Sequence, residues 1–265
     1  MGVTYDPFTG RGSGSGCKSD DQVAQDFNRM KDYKAVRIYA GDCGIIPLAV
    51  QHALKNGQKL MTGAYLTHKS GGEDLNNVIQ TLKSAIDKYA NHNWDVIALF
   101  SVENERVNDK DMTASDVVDA INRARKQLRG LGYNGPVGAV ETVPAMTDNP
   151  SICEASDVVM VNCHAFFDRN TVSSDAGRFV KSQVDMVKQT NGCKGKRVVV
   201  TESGWPHQGN TNGRAVPSDD DQKAALDNIR ANFDSDMFLF NAFDSPWKSD
   251  SASTFNAEPY WGIMR

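Results

Sequence analysis

Residues 96–105 read VIALFSVENE. The first seven are dominated by Val, Ile, Leu and Phe and show no alternation of apolar and polar positions. Both faces of such a stretch must therefore be covered. The run stops abruptly at Glu103-Asn104-Glu105. An apolar strand ending in a polar cluster is what a parallel α/β sheet produces when chemistry gathers at its carboxyl edge. The same pattern recurs along the chain. Val3–Tyr5, Ala35–Tyr39, Lys59–Tyr65, Val96–Val102, Val137–Glu141, Val158–Asn162, Arg197–Glu202 and Met237–Phe243 all read as short covered strands.

Between them lie amphipathic segments. One places Leu75, Val78, Ile79, Leu82, Ile86 and Tyr89 at three- and four-residue steps, and another does so with Val117, Val118, Ile121, Leu128 and Leu131. Glycine-rich stops close two of them, RGLGYNGP (129–136) and QTNGCKGK (189–196). Strands alternating with helices over 265 residues predict an α/β fold, a single (β/α)8 TIM barrel spanning 1–265 as one catalytic domain. Only about twenty residues follow the last strand, so the final helix is expected to be short or missing. The competing architecture, a doubly wound open sheet, lacks its glycine fingerprint after the first strand. GRGSGSG (10–16) has no Gly-Lys-Ser/Thr ending and reads as a flexible loop.

Composition narrows the function. Net charge is −4, with no Lys/Arg block, which argues against nucleic acid and anionic membrane as partners. No apolar run is long enough to span a bilayer. GVTYDPF follows Met1 directly, with no leader: either the protein is cytosolic or a secretion signal has been removed. Five cysteines show no zinc spacing and allow two disulfides with one free thiol, or five reduced thiols. Cys163, inside VVMVNCHAFF (158–167), reads as the buried free one. The five histidines are scattered without HExxH, so no metal and no cofactor is expected.

Polar residues crowd the strand ends. They include Tyr5-Asp6, Arg37 with Tyr39 and Asp42, Glu103-Asn104-Glu105, Glu141, Asn162 and His164 before Phe166-Phe167, Glu202, and Asp244 before Trp247-Lys248. In a barrel all of these face one rim. Two carboxylates on opposite sides of such a mouth can flank a glycosidic bond, one protonating the leaving oxygen and the other attacking the anomeric carbon or activating water. Aromatic rings supply flat apolar faces for sugars. His164 is either a substrate contact or a hydrogen-bonded rim residue. A serine nucleophile is unsupported, because TESGW is not GxSxG.

GVTYDPF (2–8), VRIYAGDC (36–43), SVENE (101–105), VVVTESGWP (198–206) and FNAFDSPWK (240–248) with YWG (260–262) resemble, in order, the strand-end motifs of glycoside hydrolase family 17. TESGWP is the most specific of them. The resemblance is strongest to compact fungal and bacterial members, and implies a retaining β-1,3-glucan-active barrel enzyme. It implies Glu105 as acid/base, Glu202 as nucleophile and Asn104 as a hold on the sugar 2-hydroxyl. Tyr5, Arg37 and Trp261 would line the donor side, and Phe167, Trp205 and Lys248 are further candidate substrate contacts. Arg37 would also bond to Glu202 and keep it ionised, while burial keeps the acid protonated. A pair of cysteines in related sequences matches Cys17 and Cys43, and Cys153 with Cys193 could form a second disulfide at the opposite end. Both pairs favour a secreted or cell-wall protein that has lost its leader.

The resemblance further implies β-1,3-glucanosyl transfer with residual endo-hydrolysis, on a laminarin-like glucan, by a monomer. Rival readings are a purely hydrolytic endo-β-1,3-glucanase, a barrel glycosidase for β-1,4-glucan or mannan, and a non-catalytic glucan- or wall-binding protein. Three residues depart from the family pattern: Glu103 where a small residue is expected, and Asn241 and Ser245 where acids are usual. Glu103 and Glu105, two apart, should face the same side of their strand. Glu103 would then lie one layer deeper, in support of the acid, and be neutral, hydrogen-bonded or paired with a cation such as Arg37.

Overall fold

Eight parallel strands close into a barrel in the computed structural model of the protein, which describes all residues from Met1 to Arg265. They are β1 (Gly2–Thr4), β2 (Ala35–Arg37), β3 (Lys59–Gly63), β4 (Ile97–Asn104), β5 (Val137–Thr142), β6 (Val159–Asn162), β7 (Val198–Ser203) and β8 (Met237–Leu239). Consecutive strands pair, and β1 pairs with β8 to close the ring. All eight expected strands are present. Several end earlier than their apolar runs, so Tyr5, Tyr39, Tyr65 and Phe243 lie beyond the ladder, where the chain turns away at the rim.

The helices α1 (Asp20–Arg29), α2 (Ile45–Asn56), α3 (Leu75–Tyr89), α4 (Ala114–Gly130), α5 (Val143–Asp148), α6 (Pro150–Ala155), α7 (Ala176–Gln189) and α8 (Asp219–Asn232) fill the crossovers. Their starts are written in the sequence. Ser19 and Thr113 form capping boxes with Gln22 and Asp116, and Asp74 and Ser218 each accept a bond from a first-turn N–H. The β5–β6 crossover is split into α5 and α6, with a proline in the first turn of each. No α-helix follows β8. The tail instead runs back beside it: Asn241 N–H donates to Trp261 O at 3.1 Å, and Ile263 N–H donates to Asn241 O at 3.0 Å. That return places Trp261 at the barrel mouth.

Two apolar clusters share the core. Met61, Leu99, Val140, Val158, Met160, Val199 and Phe238, from the strands and the residue before β6, plug the barrel. A larger cluster joins the outward-facing strand residues to the helices, with Val36, Leu60 and Phe100 against Ile46, Val50, Ile79 and Ile121. Cys17 and Cys43 are disulfide-bonded, tying a lip hairpin (Phe8–Thr9 with Gly16–Cys17) to the segment after β2. Cys153 and Cys193 link α6 to the segment before β7, and Cys163 is free and buried.

The α7–α8 contact is close enough to demand glycine. A Cβ on Gly177 would lie 2.2 Å from the Asn228 carbonyl oxygen, and Gly177 N–H donates to Asn228 Oδ1 at 2.8 Å. Gly177→Ala should therefore destabilise the protein by about 2 kcal/mol, despite alanine's better helix propensity, as denaturant unfolding would measure.

Candidate active site

The site is assembled around a buried cation. Arg37, on the last residue of β2, is 1% exposed. Its Nη1 donates to Glu202 Oε1 at 2.9 Å, to Asn162 Oδ1 at 3.1 Å and to the Thr201 carbonyl at 3.1 Å. Its Nη2 donates to Asn104 Oδ1 at 2.6 Å, and the guanidinium carbon lies 4.3 Å from the centre of the Tyr39 ring. One side chain from β2 thus links β4, β6 and β7. A guanidinium so far from water is tolerable only with a carboxylate and several acceptors around it.

Glu202, near the end of β7, takes its second bond at Oε2 from His164 Nε2, at 3.2 Å. Burial pushes its carboxyl upward. The His164 bond, the Arg37 charge and the nearby Tyr39 hydroxyl outweigh that and hold it down at about 2. The Tyr39 hydroxyl is buried and has no hydrogen-bond partner.

Glu105 experiences the opposite environment. Asn162 Nδ2 donates to its Oε1 at 2.7 Å and to Asn104 Oδ1 at 3.0 Å, but no cation pairs with it. Burial first, then the Glu202 charge, raise its pKa above the ordinary carboxylate range. The two glutamates therefore differ as a nucleophile and an acid must, one held ionised and the other inclined to keep its proton.

The β4 backbone decides which side chains reach the mouth. The register with β5 slips between Ser101 and Asn104, and Glu105 has φ of 59°. A bulge followed by a left-handed residue breaks strand alternation. Adjacent residues Asn104 and Glu105 consequently both reach Asn162, and the expectation that Glu103 and Glu105 share a face does not apply. Glu103 is 1% exposed and does not line the cleft. Burial, and then the charge of Glu141, hold its pKa well above the ordinary carboxylate range, as a supporting residue requires. Its expected partner is corrected: Arg37 is committed to Glu202 and the asparagines, and Glu103 Oε2 instead accepts Arg106 N–H at 2.9 Å.

A cleft of about 1040 Å³ opens above these groups. Asn104, Phe167, Lys248 and Trp261 line it, with Glu105 and Glu202 at its floor. Arg37 lies beneath that lining, under the carboxylate, and not on the wall. Two candidates are elsewhere. Tyr5 turns outward between barrel and α1, donating to Asp26 Oδ2 at 3.0 Å, because β1 ends at Thr4 and the next side chain faces the helices. Trp205 is wholly buried, packs edge-on against Phe166 and donates to Val216 O at 2.8 Å, so it props the loop after β7. His164 is a hydrogen-bonded rim residue, bonded to Glu202, and it lines the cleft.

Sequence reasoning missed Tyr65, Arg106, Phe8, Phe240 and Glu258 as lining residues. Tyr65, at the end of an expected strand, was the one with a positional signal. Asn241 and Ser245 also find their reason. Asn241 Nδ2 and Ser245 Oγ both donate to Asp6 Oδ2, at 2.9 and 2.8 Å, and Trp247 Nε1 donates to Asp6 Oδ1 at 2.9 Å. Acids at 241 or 245 would repel Asp6, whereas donors let it aim Trp247, stacked 4.6 Å from Phe8, along the cleft wall.

A closed parallel barrel with two glutamates in opposed surroundings at the ends of β4 and β7, under an aromatic-walled cleft, is the architecture of a barrel glycosidase. The chain belongs to glycoside hydrolase family 17, with residues 2–262 matching the BtgE/BtgC glycoside hydrolase domain. Among curated proteins it is similar to the probable family 17 glucosidase SCW4 of Saccharomyces cerevisiae, at 39% identity over 99% of this chain and 64% of the relative. The cell surface mannoprotein MP65 of Candida albicans is 37% identical over 99% of this chain and 66% of its own length. The chain thus spans less than two thirds of these relatives. Among solved structures, the family 17 β-1,3-glucanosyltransferase of Rhizomucor miehei shares the fold, with a TM-score of 0.78 and 21% identity, over 99% of this chain and 91% of that one. The plant β-glucan endohydrolases share it at a TM-score of 0.67 and 14% identity, over 99% and 96%.

One consequence concerns pH. Burial raises Glu141, which sits on β5 and accepts Val107 N–H at 2.6 Å, from the ordinary 4.5 to about 7. A raised folded-state pKa contributes stability that is present below the unfolded value and is lost as pH rises through the folded one. Between pH 4.5 and pH 8 this group should remove about 3 kcal/mol. Thermal unfolding across that range should show the decline in the native protein, and Glu141→Gln should make it shallower.

Proposed function

We propose that the protein is a retaining β-1,3-glucan-active enzyme working by double displacement. Glu202 attacks the anomeric carbon while Glu105 protonates the departing oxygen. Glu105 then deprotonates an acceptor that releases the sugar from Glu202 with net retention. The observation that carries this reading is the opposed surroundings of the two glutamates at one cleft: Arg37 and His164 bond to Glu202, while Glu105, partly buried, takes an asparagine amide and no paired cation. Asn104, fixed by Arg37 and Asn162, is placed to hold a sugar hydroxyl, and Phe167, Trp247 and Trp261 offer ring faces.

The substrate is proposed from kinship. A Rhizomucor miehei β-1,3-glucanosyltransferase of the same fold, in active-site mutant form, is complexed with laminaritriose. An open cleft leaves room for a carbohydrate acceptor in competition with water, so we favour glucanosyl transfer with residual hydrolysis over pure endo-hydrolysis. We also propose that the protein acts outside the cell, at the wall, as a monomer. Two disulfides and the cell-surface relative support the location. No helix is long and apolar enough to cross a membrane.

Laminaripentaose followed by mass analysis of products tests substrate and reaction together. Products longer than five units are expected at high substrate concentration; only shorter ones at every concentration would leave hydrolysis alone. Glu202→Gln keeps an oxygen against Arg37 and should fold normally, while kcat falls by about 10⁴-fold or more. Full turnover by that variant would remove Glu202 from the mechanism.

A further inference from the structure

Two buried carboxyl groups remain that the reaction does not use, and both point at the backbone carrying the acid. Immediately after Glu105, three successive N–H groups are taken by carboxyl oxygens. Arg106 N–H donates to Glu103 Oε2 at 2.9 Å, Val107 N–H to Glu141 Oε1 at 2.6 Å, and Asn108 N–H to Glu141 Oε2 at 3.2 Å. Glu105 N–H itself donates to the Val140 carbonyl at 2.8 Å. Successive N–H groups beside a left-handed residue form a concave anion site, filled here by the protein's own side chains. Glu105 is that left-handed residue, with φ of 59°, a conformation that side chains disfavour and that surrounding contacts must impose. Glu103 and Glu141 are both fully buried and neither lines the cleft.

We infer that Glu141, assisted by Glu103, is a positioning residue for the acid/base step: it clamps the turn at 105–108 so that the Glu105 carboxyl stands at the cleft floor. The inference rests on the reading of Glu105 as the acid/base. Glu141 uses both oxygens and holds two N–H groups, so it carries the greater share. Glu103 uses one oxygen only; its Oε1 is buried without a partner, as suits the neutral form to which burial and Glu141 drive it. The groups around Glu105 are Glu202 on β7, Asn162 and His164 from β6, Asn104 on its own strand, Asp109 in the following loop, and Glu141 on β5. Of these, Glu141 is the one that grips the backbone immediately after the acid.

A leaving-group comparison on the full chain tests this. Laminaripentaose needs its leaving oxygen protonated, whereas a 2,4-dinitrophenyl β-laminaribioside does not. In Glu141→Gln, kcat/KM on laminaripentaose should fall by about 10- to 100-fold, while on the aryl glycoside it stays within about threefold of native. Equal losses on both substrates, or no loss on either, would overturn the inference. Should Glu141→Gln fail to fold, Glu103→Leu against Glu103→Gln decides. Loss confined to laminaripentaose in Leu, with Gln near native because its amide oxygen still accepts Arg106 N–H, supports the clamp, and indistinguishable variants refute it. Glu105→Gln serves as the control. If it shows no leaving-group selectivity, the acid/base reading itself fails; if it does and the clamp variants do not, only the clamp fails.

Discussion

The Arg37 guanidinium is the fixed point of this molecule's chemistry. Placed in the sheet at the end of β2, it has no access to water and must find its acceptors inside the barrel. Those acceptors are Glu202, Asn162, Asn104 and the Thr201 carbonyl, contributed by three other strands. The electrostatic requirement of one buried cation thus sets the positions of the ionised glutamate and of both asparagines. Asn162 extends the chain of bonds to Glu105, so Glu105 and Glu202 are held by one network although they come from different strands. Removing the cation would leave a buried carboxylate unpaired and two amides without a fixed orientation.

Around that centre, the barrel does what its geometry allows. Strand ends deliver short polar side chains to one floor, and loops raise aromatic walls above them. The wall on the β8 side depends on the tail that replaces an eighth helix. Its backbone bonds to residues 241 and 242 carry Trp261 over His164, 4.9 Å between ring centres. The wall on the β1 side depends on Asp6, whose carboxylate gathers Asn241, Ser245 and Trp247. In both places hydrogen bonds from neighbouring residues aim an aromatic ring at the cleft.

Much of this was legible beforehand because it follows from periodicity. Covered strands and amphipathic helices alternate in the chain as they do in space, and capping residues such as Ser19 and Thr113 mark helix starts locally. Glu202 and Glu105 each stand at the end of an apolar run, as Glu103 and Glu141 do, and the resemblance to family 17 motifs is what singles out the first two. The failures have one physical source, the direction of a side chain just past a strand end. Tyr5 and Trp205 lie beside site residues in sequence but turn outward, and nothing local records that turn. The supporting place expected for Glu103 rests on an alternation that the β4 bulge abolishes, and its partner is Arg106 N–H, not Arg37.

The sequence by itself determined the barrel, the two glutamates and the rim on which they stand, because hydrophobic patterning and strand-end polarity are one-dimensional signals. Only the tertiary structure shows what separates the charges of the two glutamates that the family motifs single out. Glu105 and Glu202 are the same residue type at equivalent places in the pattern. Only the arrival of Arg37 and His164 from β2 and β6 at one of them, and of low dielectric without a cation at the other, separates their charges. That separation depends on distances of a few ångströms between residues more than a hundred positions apart for Arg37 and Glu202, which no local pattern can carry.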